Sequence, residues 1–233
     1  MSGPELSVIE RVEKLLAKAE SSEFEAERDA FTTKAQEMMT EHAISEAMLR
    51  NGADATDMVI RKLDVDMSNL TYAISRGGML RKIAEANNGF VIGIPKGGGK
   101  AGYIRMEVWG TPFALECIET LWNSLNSQLD RELANTQVPS YEHGKTFRNN
   151  FIIGFADRVG YRLRAARDET VRNDTRAGTS LVLVNQAEKV EGHARDQYNN
   201  LRSTTRYVNG SGSGRSMGSE AGSRASLSRG ALN

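Results

Sequence analysis

The chain has 233 residues, enough to bury a real core and to make one or two domains. A single cysteine, Cys117, has no partner for an intrachain disulfide, and three scattered histidines (His42, His143, His193) cannot assemble a cysteine–histidine zinc cluster, so a reducing compartment is expected. Net charge is zero, yet residues 1–66 hold 8 Lys and Arg against 15 Asp and Glu (−7), and the remainder 22 against 15 (+7): an acidic front and a basic back.

No apolar run approaches the ~18 to 20 residues that span a bilayer, and the start Met-Ser-Gly-Pro-Glu has neither a basic nor an apolar signal segment. A cytoplasmic protein is expected. Residues 5–20 place Val8, Val12, Leu15, Leu16 and Ala19 on one stripe of an amphipathic helix. Ser21-Ser22 offers caps for a second helix, with Glu25 three residues after Ser22 as in a capping box, and Phe31, Ala35, Met38 and His42 on one face. A third short helix, 44–50, is expected to end at Asn51-Gly52, so 1–52 reads as a three-helix unit.

Val59, Leu63, Val65 and Met67 alternate with charged positions, as in a half-buried strand opening a second domain over 57–208. Residues 69–87 read as a helix interrupted or kinked by Gly77-Gly78. Phe90–Ile94 and Tyr103–Trp109, joined across a glycine-rich turn, form a hairpin. Thr111-Pro112 starts a helix over 112–135. The longest helical pattern, about 145–173, carries Phe147, Phe151, Phe155, Val159 and Leu163 four apart. Leu181–Val184 is consistent with a buried strand, followed by a polar helix over 186–202. The fold class is α+β, a sheet of about four strands covered by long helices.

Residues 209–233 are rich in Gly, Ser and Arg, and two readings stand for them. One is a disordered tail. In the other, Gly210, Gly214, Gly218 and Gly222 align on a helix as a side-chain-free stripe, persisting only when docked, since glycine disfavours a free helix by ~1 kcal/mol each.

Catalytic motifs fail on spacing. Gly93–Lys100 lacks the glycine and the Ser or Thr of a phosphate-binding loop, with Ile94 and Ala101 at those places, leaving Lys96 and Lys100 as exposed hairpin charges. The histidines lack partners at ligand spacing, Cys117 lies on an apolar helix face, and no nucleophile elbow occurs. A non-enzymatic protein without a cofactor or metal is expected. The candidate contact residues are arginines, whose planar fork suits phosphate or carboxylate: Arg148, Arg158, Arg162, Arg164, Arg167 and Arg172 on the Phe-striped helix, and Arg206, Arg215 and Arg224 toward the tail. No helix-turn-helix or finger accompanies them, which argues against base-specific reading.

The runs Val12-Glu13-Lys14-Leu15-Leu16-Ala17-Lys18-Ala19-Glu20-Ser21, Phe24-Glu25-Ala26-Glu27-Arg28-Asp29-Ala30 and Lys34-Ala35-Gln36-Glu37-Met38-Met39 resemble the N-terminal helical hairpin of a domain-of-unknown-function family common in actinobacteria and their phages. The resemblance extends to the strand leading to Gly110, the segment Gly154-Phe155-Ala156-Asp157-Arg158-Val159, the Leu-Val-Leu-Val run and the spaced glycines closing on Ala221-Gly222. The chain is also similar to phage recombination directionality factors, which bind a large serine integrase and redirect it from integration to excision. The resemblance implies such a partner, with DNA contacted through it, and no catalytic residues. The alternative expectation is a DNA-backbone-binding protein using the arginine-rich helix and tail.

Overall fold

A computed structural model describes residues 7–22, 24–51, 58–97, 102–199, 201 and 212–225. Helix α1, Val8–Ser21, begins at a capping box: Ser7 Oγ accepts from Glu10 N at 3.2 Å, and Glu10 Oε2 accepts from Ser7 N at 2.7 Å. Helix α2, Glu25–Asn51, packs antiparallel-fashion as the second arm of a hairpin, burying Ala35 and Met39 in the same cluster as Val12 and Leu16. The expected break before a third helix is absent, so the N-terminal unit has two helices. No glycine or proline interrupts 40–44, and Met39, Ile44 and Ala47 continue one buried stripe across the join. At the chain reversal Ser22 Oγ accepts from Phe24 N and donates to Glu27 Oε2 at 2.7 Å; the side chain of Glu25 lies outside the described residues.

The sheet has three strands among the described residues, not four: β1 (Arg61–Asp66), β2 (Phe90–Pro95) and β3 (Tyr103–Gly110), antiparallel in the order β1-β3-β2. The missing strand is Leu181–Val184, which lies in helix α6, Thr179–Asp196. A four-residue apolar run has no period that separates strand from buried helix. Val182, Leu183, Gln186, Val190 and Ala194 face inward at helical spacing. Gly178, at φ +81°, makes the left-handed turn that starts the helix.

Alternation in the strands builds two cores. Leu63, Val65, Val91, Met106 and Val108 join the main core, with helices α3 (Ala73–Ala86), α4 (Pro112–Asn135) and α5 (Gly144–Asn173). Phe90, Ile92, Ile94 and Trp109 face the other way, against Val190 and Ala194 of α6. Thr111 caps α4 by accepting from Ala114 N at 3.3 Å, with Pro112 in the first turn, as its sequence indicates. Phe147, Phe151, Phe155, Val159 and Leu163 are all buried on α5, each worth roughly 1.5–3 kcal/mol of transfer energy. Helix α3 runs through Gly77-Gly78, and a Cβ on Gly77 would meet the Met106 thioether at 3.2 Å.

The last described element, α7 (Gly212–Arg224), is a helix docked on α5 of the same chain. Its Ala221 and the Ala225 that follows it join the main core, as do Val12 and Leu16 of α1, so one hydrophobic cluster draws on the hairpin, the sheet and the tail. Gly210 and residues 226–233 of the expected tail lie outside the described residues. No helix among the described residues is long and apolar enough to cross a membrane.

Candidate functional site

The seam between α5 and α7 is made by missing side chains. A Cβ on Gly154 would stand 2.1 Å from Arg215 O, one on Gly218 2.0 Å from Phe151 O, and one on Gly222 2.8 Å from Phe155 O. The two backbones therefore touch, the geometry that the glycine spacing made available. Because α7 buries only Gly214, Gly218, Ala221 and Gly222 within its span, it brings little apolar area to the contact, and polar clamps at its edges matter.

Arginines supply those clamps. Arg158 Nε donates to Ser223 Oγ at 2.8 Å. Arg162 Nη1 donates to Gly222 O at 3.0 Å and Ala225 O at 2.7 Å, completing the C-terminal end of α7, while its Nη2 pairs with Asp29 of α2 at 2.6 Å. From the other side, Arg215 pairs with Asp157 at 2.6 Å, Asp157 also taking Lys82 at 3.1 Å, and Arg224 pairs with Glu132 of α4 at 3.3 Å. Arg158, Arg162, Arg215 and Arg224 are thus gathered by α7 and engaged within the molecule.

The other candidate arginines are placed apart. Arg167 turns inward and donates to Asn88 Oδ1 at 2.6 Å. Arg148 and Arg172 are exposed on α5, Arg172 donating to its own helix at Asp168 O, and Arg164 is half-buried. Arg206 lies outside the described residues. The hairpin Lys96 donates to Ser68 O at 3.2 Å, and Lys100 lies outside the described residues.

Two charged clusters carry no motif in the sequence. Arg76 is buried beneath α4, where it donates to Thr71 O at 2.9 Å, to Asn126 Oδ1 and to Asp130. Glu107 is buried on the α6 face of the sheet, accepting from Tyr198, from Arg105 at 2.8 Å, and lying 3.5 Å from Lys62. Burial pushes the Glu107 carboxyl up, but the hydrogen bonds from Tyr198 and Arg105 and the charge of Lys62 outweigh it and hold it below its ordinary value. A lone carboxylate inside Met106-Glu107-Val108-Trp109 was the available signal for this cluster.

His42 packs on the Phe113 ring at 4.1 Å and His193 on Trp109 at 5.7 Å, while His143 precedes α5 as its N-cap residue. Cys117 is buried, and burial pushes its thiol far up, which suits a small hydrophobe. Among the described residues no group of three or more His, Cys, Asp or Glu could hold a metal ion.

A further surface lies at the junction of α2 and α6. Ile44 and Ala47 pack there with Val182 and Leu183, flanked by Met48 and Val171. Leu49 of α2 and Leu181 and Val184 of α6 turn away from this core, 79%, 64% and 50% exposed. The two buried and two exposed residues of the Leu-Val-Leu-Val run thus divide it between a small core and an apolar surface.

Residues 7–46 match the model of a family described as a protein of unknown function (DUF2786). The matched stretch is α1 and most of α2, and none of the sheet or later helices. The hairpin part of the wider resemblance is therefore found as a domain of unknown function. Neither a curated protein nor a solved structure matches the chain.

Proposed function

We propose that this chain is a non-enzymatic accessory protein that works by binding another protein, and that its partner is a large serine integrase, which it switches from integration to excision. The observation that carries the protein-binding reading is the exposure of Leu181 and Val184, one turn apart on the outer face of α6. Large aliphatic side chains left facing water on a helix are the kind of surface that a protein partner covers. The integrase as the partner is supported by the resemblance of the hairpin and glycine-spaced tail to actinophage proteins. A factor of this kind needs no chemistry: it shifts its partner by binding one conformation more tightly than another, and equal binding shifts nothing. It acts in the cytoplasm.

The DNA-backbone reading has less support. Phosphates recruiting Arg162, Arg215 or Arg224 would have to displace Asp29, Asp157 or Glu132 and strip clamps from α7. Exposed Arg148 and Arg172 remain for weaker contacts made through the partner's DNA. The test is mass photometry of the chain with its cognate large serine integrase, with and without DNA. A discrete complex is expected in both, and its absence from both sinks the proposal.

A further inference from the structure

Gly77 and Gly78 stand side by side in the interior of α3, where glycine disfavours a helix more than any residue but proline. Gly77 has a packing reason: a Cβ there would press on the Met106 thioether at 3.2 Å and stand 3.5 Å from the Tyr103 ring. Gly78 has none, because a Cβ there would meet nothing within 4 Å. What adjoins it is a cavity between α3, β3 and α5.

The cavity opens to water and holds about 190 Å³ of free space, more than the ~150 Å³ of an apolar cavity that takes up benzene. Ile74, Ile153, Ala156 and the Tyr103 ring line it. That ring is a fixed wall, lying across Gly93 so closely that no Cβ fits there. Ser75, three residues before Gly78 and so on the same side of α3, is the buried polar group in the lining, 6% exposed. Its hydroxyl donates to Asn149 Oδ1 at 2.6 Å, and no described residue donates to its oxygen. The charges at the mouth are already answered: Asp157 takes Lys82 at 3.1 Å and Arg215 at 2.6 Å, and Arg81 is exposed to water. A molecule that fits here therefore needs no charge. It needs an apolar body for the walls and a donor for Ser75.

We propose that this pocket binds a small neutral molecule of the phenol class, one aromatic ring with a hydroxyl donor. The ring rests on the bare backbone at Gly78 among Ile74, Ile153 and Tyr103, and the hydroxyl donates to Ser75 Oγ. Gly78 keeps the space open, which is the reason for a glycine that packing leaves unexplained. The site needs no protein partner, so its failure leaves the accessory-protein reading untouched.

The experiment is titration of the isotope-labelled full chain with phenol, toluene and cyclohexanol, followed by two-dimensional NMR. Phenol is expected to saturate with a Kd of about 1 mM or tighter, with shifts confined to the surroundings of Ser75, Gly78, Tyr103 and Ile153. Cyclohexanol, which carries its hydroxyl on a thicker ring, is expected to bind several-fold more weakly. Gly78→Leu should fold at least as stably, since it removes a glycine from a helix interior, and should abolish binding by filling the cavity. Ser75→Ala should weaken phenol about 3- to 10-fold and leave toluene unchanged. Ser75→Ala decides alone where Gly78→Leu does not fold. The proposal is overturned by phenol shifts that do not saturate or that scatter over the surface, or by cyclohexanol binding as tightly as phenol. It is equally overturned by binding that survives in folded Gly78→Leu, or by no loss of phenol relative to toluene in Ser75→Ala.

Discussion

Gly218 of α7 sits directly on the Phe151 carbonyl of α5, so close that a Cβ at residue 218 would stand 2.0 Å from that oxygen. Gly218→Ala therefore forces the two backbones apart, whereas Gly192→Ala on α6 meets nothing within 4 Å. The expected loss for Gly218→Ala is about 1–3 kcal/mol, with greater amide exchange throughout 212–225. Gly192→Ala should be neutral or stabilising by up to ~1 kcal/mol. Urea denaturation with hydrogen-exchange mass spectrometry reads both. Equal, small effects would mean that α7 does not rest on this carbonyl.

Arg162 joins α2, α5 and the end of α7 through Asp29, Gly222 O and Ala225 O, with its side chain 14% exposed. Arg162→Met should cost about 2 kcal/mol, because two carbonyls and a carboxylate lose a charged donor together. Lysine cannot reproduce the fork, so Arg162→Lys should recover only part of the loss. Denaturant midpoints of the three proteins provide the check, and full recovery by lysine would contradict the geometry.

Stability should fall at both ends of the pH scale through Glu107 and Tyr198. Glu107 is held below its ordinary range, so its contribution is present above its unfolded value of about 4.3 and is lost as pH falls further. Tyr198 is pushed up to about 12, first by burial and then by its hydrogen bond to Glu107. Its contribution is intact below about pH 10 and is lost as pH climbs toward 12. Urea midpoints should fall less at low pH in Glu107→Gln, and less at high pH in Tyr198→Phe. An alkaline limb unchanged in Tyr198→Phe would rule out this coupling.

Leu181 and Val184 are exposed, so replacing both with serine should leave stability within about 1 kcal/mol, each change being worth at most ~0.5 kcal/mol. The buried neighbours behave differently: Leu183→Ala should cost about 2–5 kcal/mol. This contrast, read from thermal melts, separates surface from core within four consecutive residues.

The sheet hairpin, the Thr111-Pro112 helix start and the four-apart phenylalanines were legible because each has a local period or cap. Leu181–Val184 reads as a strand from sequence because four apolar residues span barely one helical turn; the division between Leu181 and Leu183 appears only when α6 meets Ile44 and Ala47. The tail's spaced glycines pointed to a docked helix, but local propensity opposed it, and the resolving contact with Phe151 lies 67 positions away, 218 against 151. The arginines were visible, but their roles were not. Asp29 is 133 residues from Arg162 and Asp157 is 58 from Arg215, distances over which sequence spacing carries no pairing information. Arg76 and Glu107 carry no local motif for the same reason: Asp130 and Tyr198 are 54 and 91 residues away.

The measurement closest to the proposed function is in vitro recombination by the cognate large serine integrase on excision and integration substrates, with the wild-type chain and with Leu181→Glu/Val184→Glu, at 50 and 200 mM salt. The expected result is that the wild-type chain promotes excision and suppresses integration at both salt concentrations, since an apolar interface largely persists where phosphate-driven binding weakens steeply. The folded double variant should do neither. Unchanged recombination with the wild-type chain, or full activity in the double variant, would contradict it.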